Sequence, residues 1–245
     1  MARRLRAAGA TVVVADVDVT RGKFLAEEFG PPSSFHAMDV TDPSAWTEMA
    51  AKLETLGAPR LVHLNAGVML RPAGTPALDD PLDWMTVDSY RRIRAINLDG
   101  VVYGILAMAP IMEAAGGGWI VVTSSNAGLD PFAMDPAYAL TKHALIGLVE
   151  SLAPALARRS IDIMALCPAG IDTQMCPPDF RDMRLREHRS FAAPSYVAEA
   201  VMTMLAHGRP GQIWMSREQD GGYWVYDRPR LPALPAEGAQ LWPAS

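Results

Sequence analysis

The chain has 245 residues, half of them hydrophobic and a fifth charged, the composition of an ordinary globular domain large enough to bury its own core. Lys and Arg total 22 against 27 Asp and Glu, a formal charge of −5, which argues against a nucleic acid or an anionic membrane as partner. No uninterrupted apolar run reaches the roughly 18 residues of a membrane span, and Met-Ala-Arg-Arg-Leu-Arg at the start has no apolar stretch behind it to make a secretory signal.

The first apolar run, Thr11–Ala15, closes on Asp16. A helix-like stretch follows over Thr20–Phe29 and stops at Gly30, a good residue just past a helix end. Thr41 and Asp42 are candidate N-caps, and Pro43 suits the first position of a helix reaching about Leu56. Leu61–Leu64 is a second short run, closed by Asn65. Asp88–Ala115 reads as a long helix ending in Gly116-Gly117-Gly118, with Pro110 able to kink it. The run Trp119–Thr123 closes on Ser124, helical spacing covers Tyr138–Arg158, and Ile161–Leu166 closes on Cys167-Pro168. A further helix over Ser195–His207 follows Pro194, and Gly211–Met215 reads as a last strand.

Strand and helix alternate throughout, which predicts an α/β fold with a mainly parallel sheet covered on both faces. The short apolar runs lack clean in/out alternation, as expected of strands buried on both sides. Right-handed crossovers collect the C-terminal ends of parallel strands on one edge, and ligands bind there. The polar residues that close the strands are therefore the candidate site.

Tyr138 and Lys142 lie four apart at the start of a helix and share one face. A free tyrosine titrates near ~10 and is a poor acid or base at neutral pH. An ammonium one turn away favours the phenolate and is expected to lower that value. Alone, such a pair is common and is more often a half-buried tyrosine beside a lysine with its head in solvent. Ser125, just past the strand end and a short loop before Tyr138, brings a hydroxyl to the same place. It is suited to hold a carbonyl oxygen while Tyr138 donates a proton.

Val121-Val122-Thr123-Ser124-Ser125, Tyr138-Ala139-Leu140-Thr141-Lys142 and Ile96-Asn97-Leu98 together resemble the catalytic motifs of the short-chain dehydrogenases/reductases. Asn65-Ala66-Gly67, Asp39-Val40 and Pro168-Ala169-Gly170-Ile171-Asp172-Thr173 resemble further landmarks of that family in the right order, the last with alanine in place of a glycine. The resemblance runs from about Ala2 to Tyr226. It implies a Rossmann-type doubly wound sheet in three αβα layers over 1–226, followed by a Pro-rich tail over 227–245. It implies a tetrad of Asn97, Ser125, Tyr138 and Lys142. Tyr138 is then the acid/base, Lys142 lowers its pKa and holds the nicotinamide ribose, Ser125 polarises the carbonyl, and Asn97 supports a water. Asp39 and Val40 are expected by the adenine. Asn65, Ala66 and Gly67 are also expected to bind cofactor, and Pro168, Ala169, Gly170, Ile171 and Thr173 to lie beside the nicotinamide. The expected reaction transfers a hydride between NAD(H) and a small secondary alcohol or ketone. The expected assembly is a homodimer or homotetramer.

Asp16 carries the expectation of NAD over NADP. A carboxylate at that strand end accepts both hydrogens of a ribose diol and repels a 2′-phosphate, and Val17 offers no cation to a phosphate. Capping a turn is the plainer role for the same residue, and Asp18 is the neighbouring carboxylate.

The resembled family opens with a strand and a turn of the form Thr-Gly-x-x-x-Gly-x-Gly, and this sequence has neither. Met1–Gly9 reads as the second half of the helix after that turn. The missing strand is central in the family order 3-2-1-4-5-6-7. The expectation is a start assigned at an internal Met, a persistent gap between the Thr11–Ala15 and Leu61–Leu64 strands, and poorer soluble expression than an N-terminally extended form. A truncated, non-catalytic binding or scaffold protein on the same fold is the alternative.

Five histidines, His36, His63, His143, His188 and His207, show no ligand spacing, so no metal site is expected, and His63 reads as a core residue. Arg181, Arg184, Arg186 and Arg189 suit either an acidic substrate or a solvated helix balanced by Asp179, Asp182 and Glu187. Two cysteines, Cys167 and Cys176, cannot form a disulfide framework, and the expected compartment is the reducing cytoplasm. Val101, Ile105, Met108 and Met112 form an apolar stripe, and Leu145, Leu148, Leu152 and Leu156 a second. Each suits either the sheet or a subunit interface.

Overall fold

The computed structural model describes residues 1–71, 80–176, 181–182, 186, 191–217 and 222–229. The Pro-rich stretch beyond 229 lies outside the described residues, as do Arg184, His188 and Arg189. The strands are β1 (Val13–Asp16), β2 (Ser34–Ala37), β3 (Leu61–Leu64), β4 (Gly118–Thr123), β5 (Ile161–Pro168), β6 (Ile213–Arg217) and β7 (Gly222–Val225). The helices are α1 (Ala2–Ala7), α2 (Val19–Phe29), α3 (Pro43–Leu56), α4 (Val87–Arg94), α5 (Gly100–Ala114), α6 (Pro136–Ala157) and α7 (Pro194–His207).

Five strands form one sheet in the order β3-β4-β5-β6-β7, and β1 pairs with β2 in a second sheet. The pairs β1–β2, β3–β4, β4–β5 and β5–β6 are parallel. Among the described residues no ladder joins β1 to β3, so the expected gap is present. β2, short and partly polar, is the strand that the resemblance places before Asp39-Val40; β7, which returns antiparallel along β6 with Trp214 opposite Val225, was not expected.

β4 and β5 explain the sheet's burial. Ile120 and Val122, with Ile161, Ile163, Ala165 and Cys167, face a core shared with α3, α5 and α6. Val121, Met164 and Leu166 face the opposite core against α7. Successive side chains point to opposite faces, and both sets are apolar because helices cover both faces. The stripe Val101, Ile105, Met108 and Met112 is at most 4% exposed and belongs to the first core, so it faces the sheet. Leu145 and Leu156 of the second stripe are also buried there, with Leu148 and Leu152 packed at its margin.

The predicted long helix spans Val87–Ala114, and by length and composition its 28 residues would suffice to cross a membrane. Here its C-terminal half is the core helix beneath β4 and β5. It is interrupted by a π-helical turn, Ala95–Asp99, between α4 and α5. After α5, Gly116, Gly117 and Gly118 all take positive φ and turn the chain into β4. Gly117 has φ +87, and a Cβ there would collide with the Ser160 backbone carbonyl. Gly117→Ala is therefore expected to destabilise the fold by about 2 kcal/mol or more. Urea unfolding measures this, and a wild-type midpoint would contradict it.

Candidate active site

β4 ends at Thr123, and its continuation Ser124–Ser125 enters a 3-10 turn over Asn126–Gly128. Ser125 caps that turn, its Oγ accepting the Ala127 N–H at 3.1 Å. α6 starts opposite, with Asp135 as N-cap and Pro136 in its first turn. Tyr138 falls in that turn and is 9% exposed, while the Ser125 hydroxyl donates to Asn126 Oδ1 at 3.1 Å. Lys142 follows one turn on, with Nζ 5.5 Å from the Tyr138 ring centroid and donating to the Thr123 carbonyl at 2.8 Å.

Asn97 sits in the π-helical turn and is 0% exposed. Its Oδ1 accepts the Val68 N–H at 2.8 Å and its Nδ2 donates to the Val68 carbonyl at 2.9 Å. Nδ2 also lies 3.2 Å from Thr141 Oγ1. A π turn inserts one residue into the helical ladder and directs this side chain at the loop after β3. Gly67 in that loop has no side chain where a Cβ would stand 3.4 Å from Asn97 Oδ1 and 3.5 Å from Lys142 Nζ. The space between amide and ammonium is thereby left open.

Burial sets the charges. Lys142, 2% exposed, is pushed down to about 8, because the ammonium has lost water, and only the nearby Cys167 opposes this. Burial raises the Cys167 thiol to about 12, against hydrogen bonds from Ser124 and the Ser125 backbone. Tyr138 lies above its ordinary value: burial is the largest cause, the Ser125 hydroxyl opposes it, and Asp135 and Cys167 add to it. The expected downward pull of Lys142 is not among the causes that shift Tyr138, and the ammonium is directed at the Thr123 carbonyl.

A pocket of about 360 Å³ opens over these groups. Asn65, Gly67, Ser125, Tyr138, Lys142, Pro168, Ala169, Gly170, Ile171 and Thr173 all line it. The segment after β5 is held by a bridge between Ile171 and Ala192. Met69, Phe132, Met175 and Phe191 supply an apolar wall. Asp16, Asp39, Val40, Ala66 and Asn97 do not line this pocket. Asp16 is exposed at the end of β1 and accepts the Asp18 N–H at 2.9 Å, and Asp18 caps α2. Asp39 is held within its own turn, accepting from Thr41 N–H and hydroxyl at 2.9 and 2.8 Å. The Val40 carbonyl accepts Trp46 Nε1 at 2.9 Å.

Two features, His63 and Asp135, were not read from the sequence as parts of the site. His63 lines the pocket rather than lying wholly within the core. Its Nε2 is 2.8 Å from Thr123 Oγ1, which donates to Asn65 Oδ1 at 2.9 Å. A hydroxyl has one proton to give, so Nε2 carries the imidazole hydrogen. Burial pushes His63 down to about 4, keeping the ring neutral. Asp135 is a buried carboxylate whose signal was present in Asp-Pro ahead of the helix. Arg181 is paired with Asp172 and donates to the Thr173 carbonyl at 3.3 Å, so its charge is already met.

The sequence profile described as short chain dehydrogenase matches residues 1–184. The chain belongs to this family. It is 33% identical over 168 residues to a sorbitol dehydrogenase of Cereibacter sphaeroides, covering 67% of this chain and 62% of the relative. It thus spans less than two thirds of that relative's length. A gluconate 5-dehydrogenase of Burkholderia cenocepacia, solved with NADP and tartrate, superposes with TM-score 0.77 at 25% identity, covering 88% of this chain and 87% of that one. A 3-ketoacyl-(acyl-carrier-protein) reductase of Brucella melitensis, solved with NADH, shares the fold with TM-score 0.73 at 23% identity, over 83% and 84%. The family's doubly wound α/β architecture is the one described above.

The depressed Lys142 has a consequence for stability. Its folded value of about 8 lies below the ordinary 10.5, so the native state carries the full cost of burying the ammonium below pH 8. That cost disappears as pH rises from 8 through 10.5, where the unfolded chain also loses the proton. Lys142→Met is expected to stabilise the fold at pH 7 by about 2 kcal/mol, net of the lost hydrogen bond. The gain should vanish above pH 10.5. Urea titrations at both pH values check this, and a variant less stable at pH 7 contradicts it.

Proposed function

We propose that this short-chain dehydrogenase is an oxidoreductase moving a hydride between NAD(H) and a small secondary alcohol or its ketone. The observation that carries the reading is that Ser125, Tyr138 and Lys142 line one pocket, with Lys142 Nζ 5.5 Å from the Tyr138 ring centroid. The nicotinamide half of a dinucleotide fits the residues present. Gly67 leaves space beside Lys142 Nζ, and Pro168–Ile171 line the same pocket as Tyr138. Among the described residues no glycine-rich turn joins them.

Bound there, the nicotinamide supplies or accepts the hydride. Tyr138 handles the proton: it takes the hydroxyl proton when an alcohol is oxidised and returns it to the oxygen when a ketone is reduced. Ser125 Oγ holds that oxygen against Tyr138 and polarises it. Lys142 favours the phenolate once its ammonium is oriented at the ribose and phenol. Asn97 keeps the Val68 loop and Thr141 in register, and its role in this reading is to support a water linking Lys142 to solvent. The assembled set counts against the non-catalytic scaffold alternative.

Asp16 supports NAD over NADP, being an exposed carboxylate at the end of β1 with Val17 beside it. The assembly we infer is a closed dimer or tetramer through α5 and α6, whose outward residues Leu106 and Leu140 are 68% and 50% exposed. A cytoplasmic setting is supported by the sequence having two cysteines, too few for a disulfide framework.

Tyr138→Phe keeps the ring and removes only the proton donor. It is expected to lower kcat by at least about a hundredfold while leaving the NAD dissociation constant nearly unchanged by calorimetry. A variant keeping most of its kcat would sink the acid/base assignment. Asp16→Ala is expected to weaken NAD and relax the bias against NADP. The ratio of kcat/KM for the two cofactors reads this directly, and a wild-type preference for NADP would contradict it.

A further inference from the structure

We propose that Asp135 is a positioning residue for the substrate side of this site, tying the loop that carries Met69 to the first turn of the helix that carries Tyr138. The inference rests on the oxidoreductase reading above. Asp135 is 0% exposed. Its Oδ1 accepts the Tyr138 N–H at 2.9 Å. Its Oδ2 accepts two further backbone N–H groups, Leu70 at 2.6 Å and Arg71 at 3.0 Å.

Capping α6 needs one acceptor, which Ser, Thr or Asn supplies without a buried charge. A fully buried carboxylate costs more than any of these unless every oxygen is engaged. The second oxygen is what this position adds, and it acts on a different element, the loop after β3. That loop is held at its near end by Asn97, which bonds both the N–H and the carbonyl of Val68. Val68–Arg71 is thus pinned at both ends by buried side chains.

Met69 lies between the pins and lines the pocket. Val68, Met69 and Leu70 pack, together with Phe132, against Tyr138, Ala127 and Ile93. A substrate oxygen held by Ser125 and Tyr138 leaves its carbon skeleton against this wall. The separation between wall and phenol is therefore fixed by one carboxylate three residues before the tyrosine. Loosening the wall weakens substrate binding, whereas the cap alone keeps the phenol in place.

Asp135→Ser separates the two jobs, because its Oγ still caps Tyr138 N–H but nothing reaches Leu70 and Arg71. Amide exchange by NMR is expected to accelerate at least about tenfold at Leu70 and Arg71, and to stay within about threefold at Tyr138. With cyclohexanol as probe, KM should rise at least about tenfold and kcat stay within about threefold. A merely structural role would instead lower apparent kcat through loss of folded enzyme and leave KM unchanged. Asp135→Asn, of equal size and with one acceptor oxygen, is the second variant and is expected to raise KM at least about threefold. Unchanged exchange at Leu70 and Arg71, or a KM equal to wild type in both variants, overturns the proposal. A wild-type chain that oxidises no secondary alcohol overturns the oxidoreductase reading instead, and the exchange measurement still decides the clamp.

Discussion

The site is organised around one costly group, the ammonium of Lys142 buried beneath the Tyr138 ring. A lysine 2% exposed is tolerated only where its donors meet acceptors. The Thr123 carbonyl is the acceptor here, available because β4 ends at that residue. The same strand end delivers Ser124 and Ser125. The lysine, the serine and the tyrosine are therefore consequences of one geometry, a helix N-terminus set against the C-terminal end of a buried strand. Cys167, near the end of β5 next door, raises Tyr138 further through its charge.

That geometry depends on a sheet covered on both sides. The two apolar sets of β4 and β5 fix these strands between α7 on one face and α5 and α6 on the other. Polar side chains have no place along such strands, so they gather where the strands stop. The interruption at Ala95–Asp99 serves the same end: it lets one buried amide, Asn97, leave the helical ladder and organise the loop after β3. Asp135 works on that loop from the opposite side. The pocket floor is thus defined by side chains that hydrogen-bond backbone, and backbone bonds fix positions more tightly than contacts between long side chains.

Much of this was legible in the sequence because it depends on local spacing. Tyr138 and Lys142 are one helical turn apart whatever the tertiary context, and Ser125 follows an apolar run too short to be anything but a strand. The breaks at Gly116–Gly118 and Asp42-Pro43 stood where the helices end and begin. The gap between β1 and β3 followed from element order. What escaped was set by other elements. The π turn leaves no mark in an apolar pattern. The antiparallel β7 lies outside the regular βα alternation. Asp135 announced its cap through the Asp-Pro pair, but its second oxygen acts on a loop 64 or 65 residues away. The direction of the Tyr138 shift depends on burial, which spacing does not reveal.

The central claim is that hydride and proton take separate routes across this pocket, the proton alone passing through Tyr138. Deuterium placed on the carbinol carbon of cyclohexanol tests it most directly, with the chain incubated with NAD and the label followed by NMR. Direct transfer predicts deuterium at the nicotinamide ring, in amount equal to the ketone formed, with none released to water. Deuterium appearing in solvent, or ketone forming without labelled nicotinamide, would contradict the account.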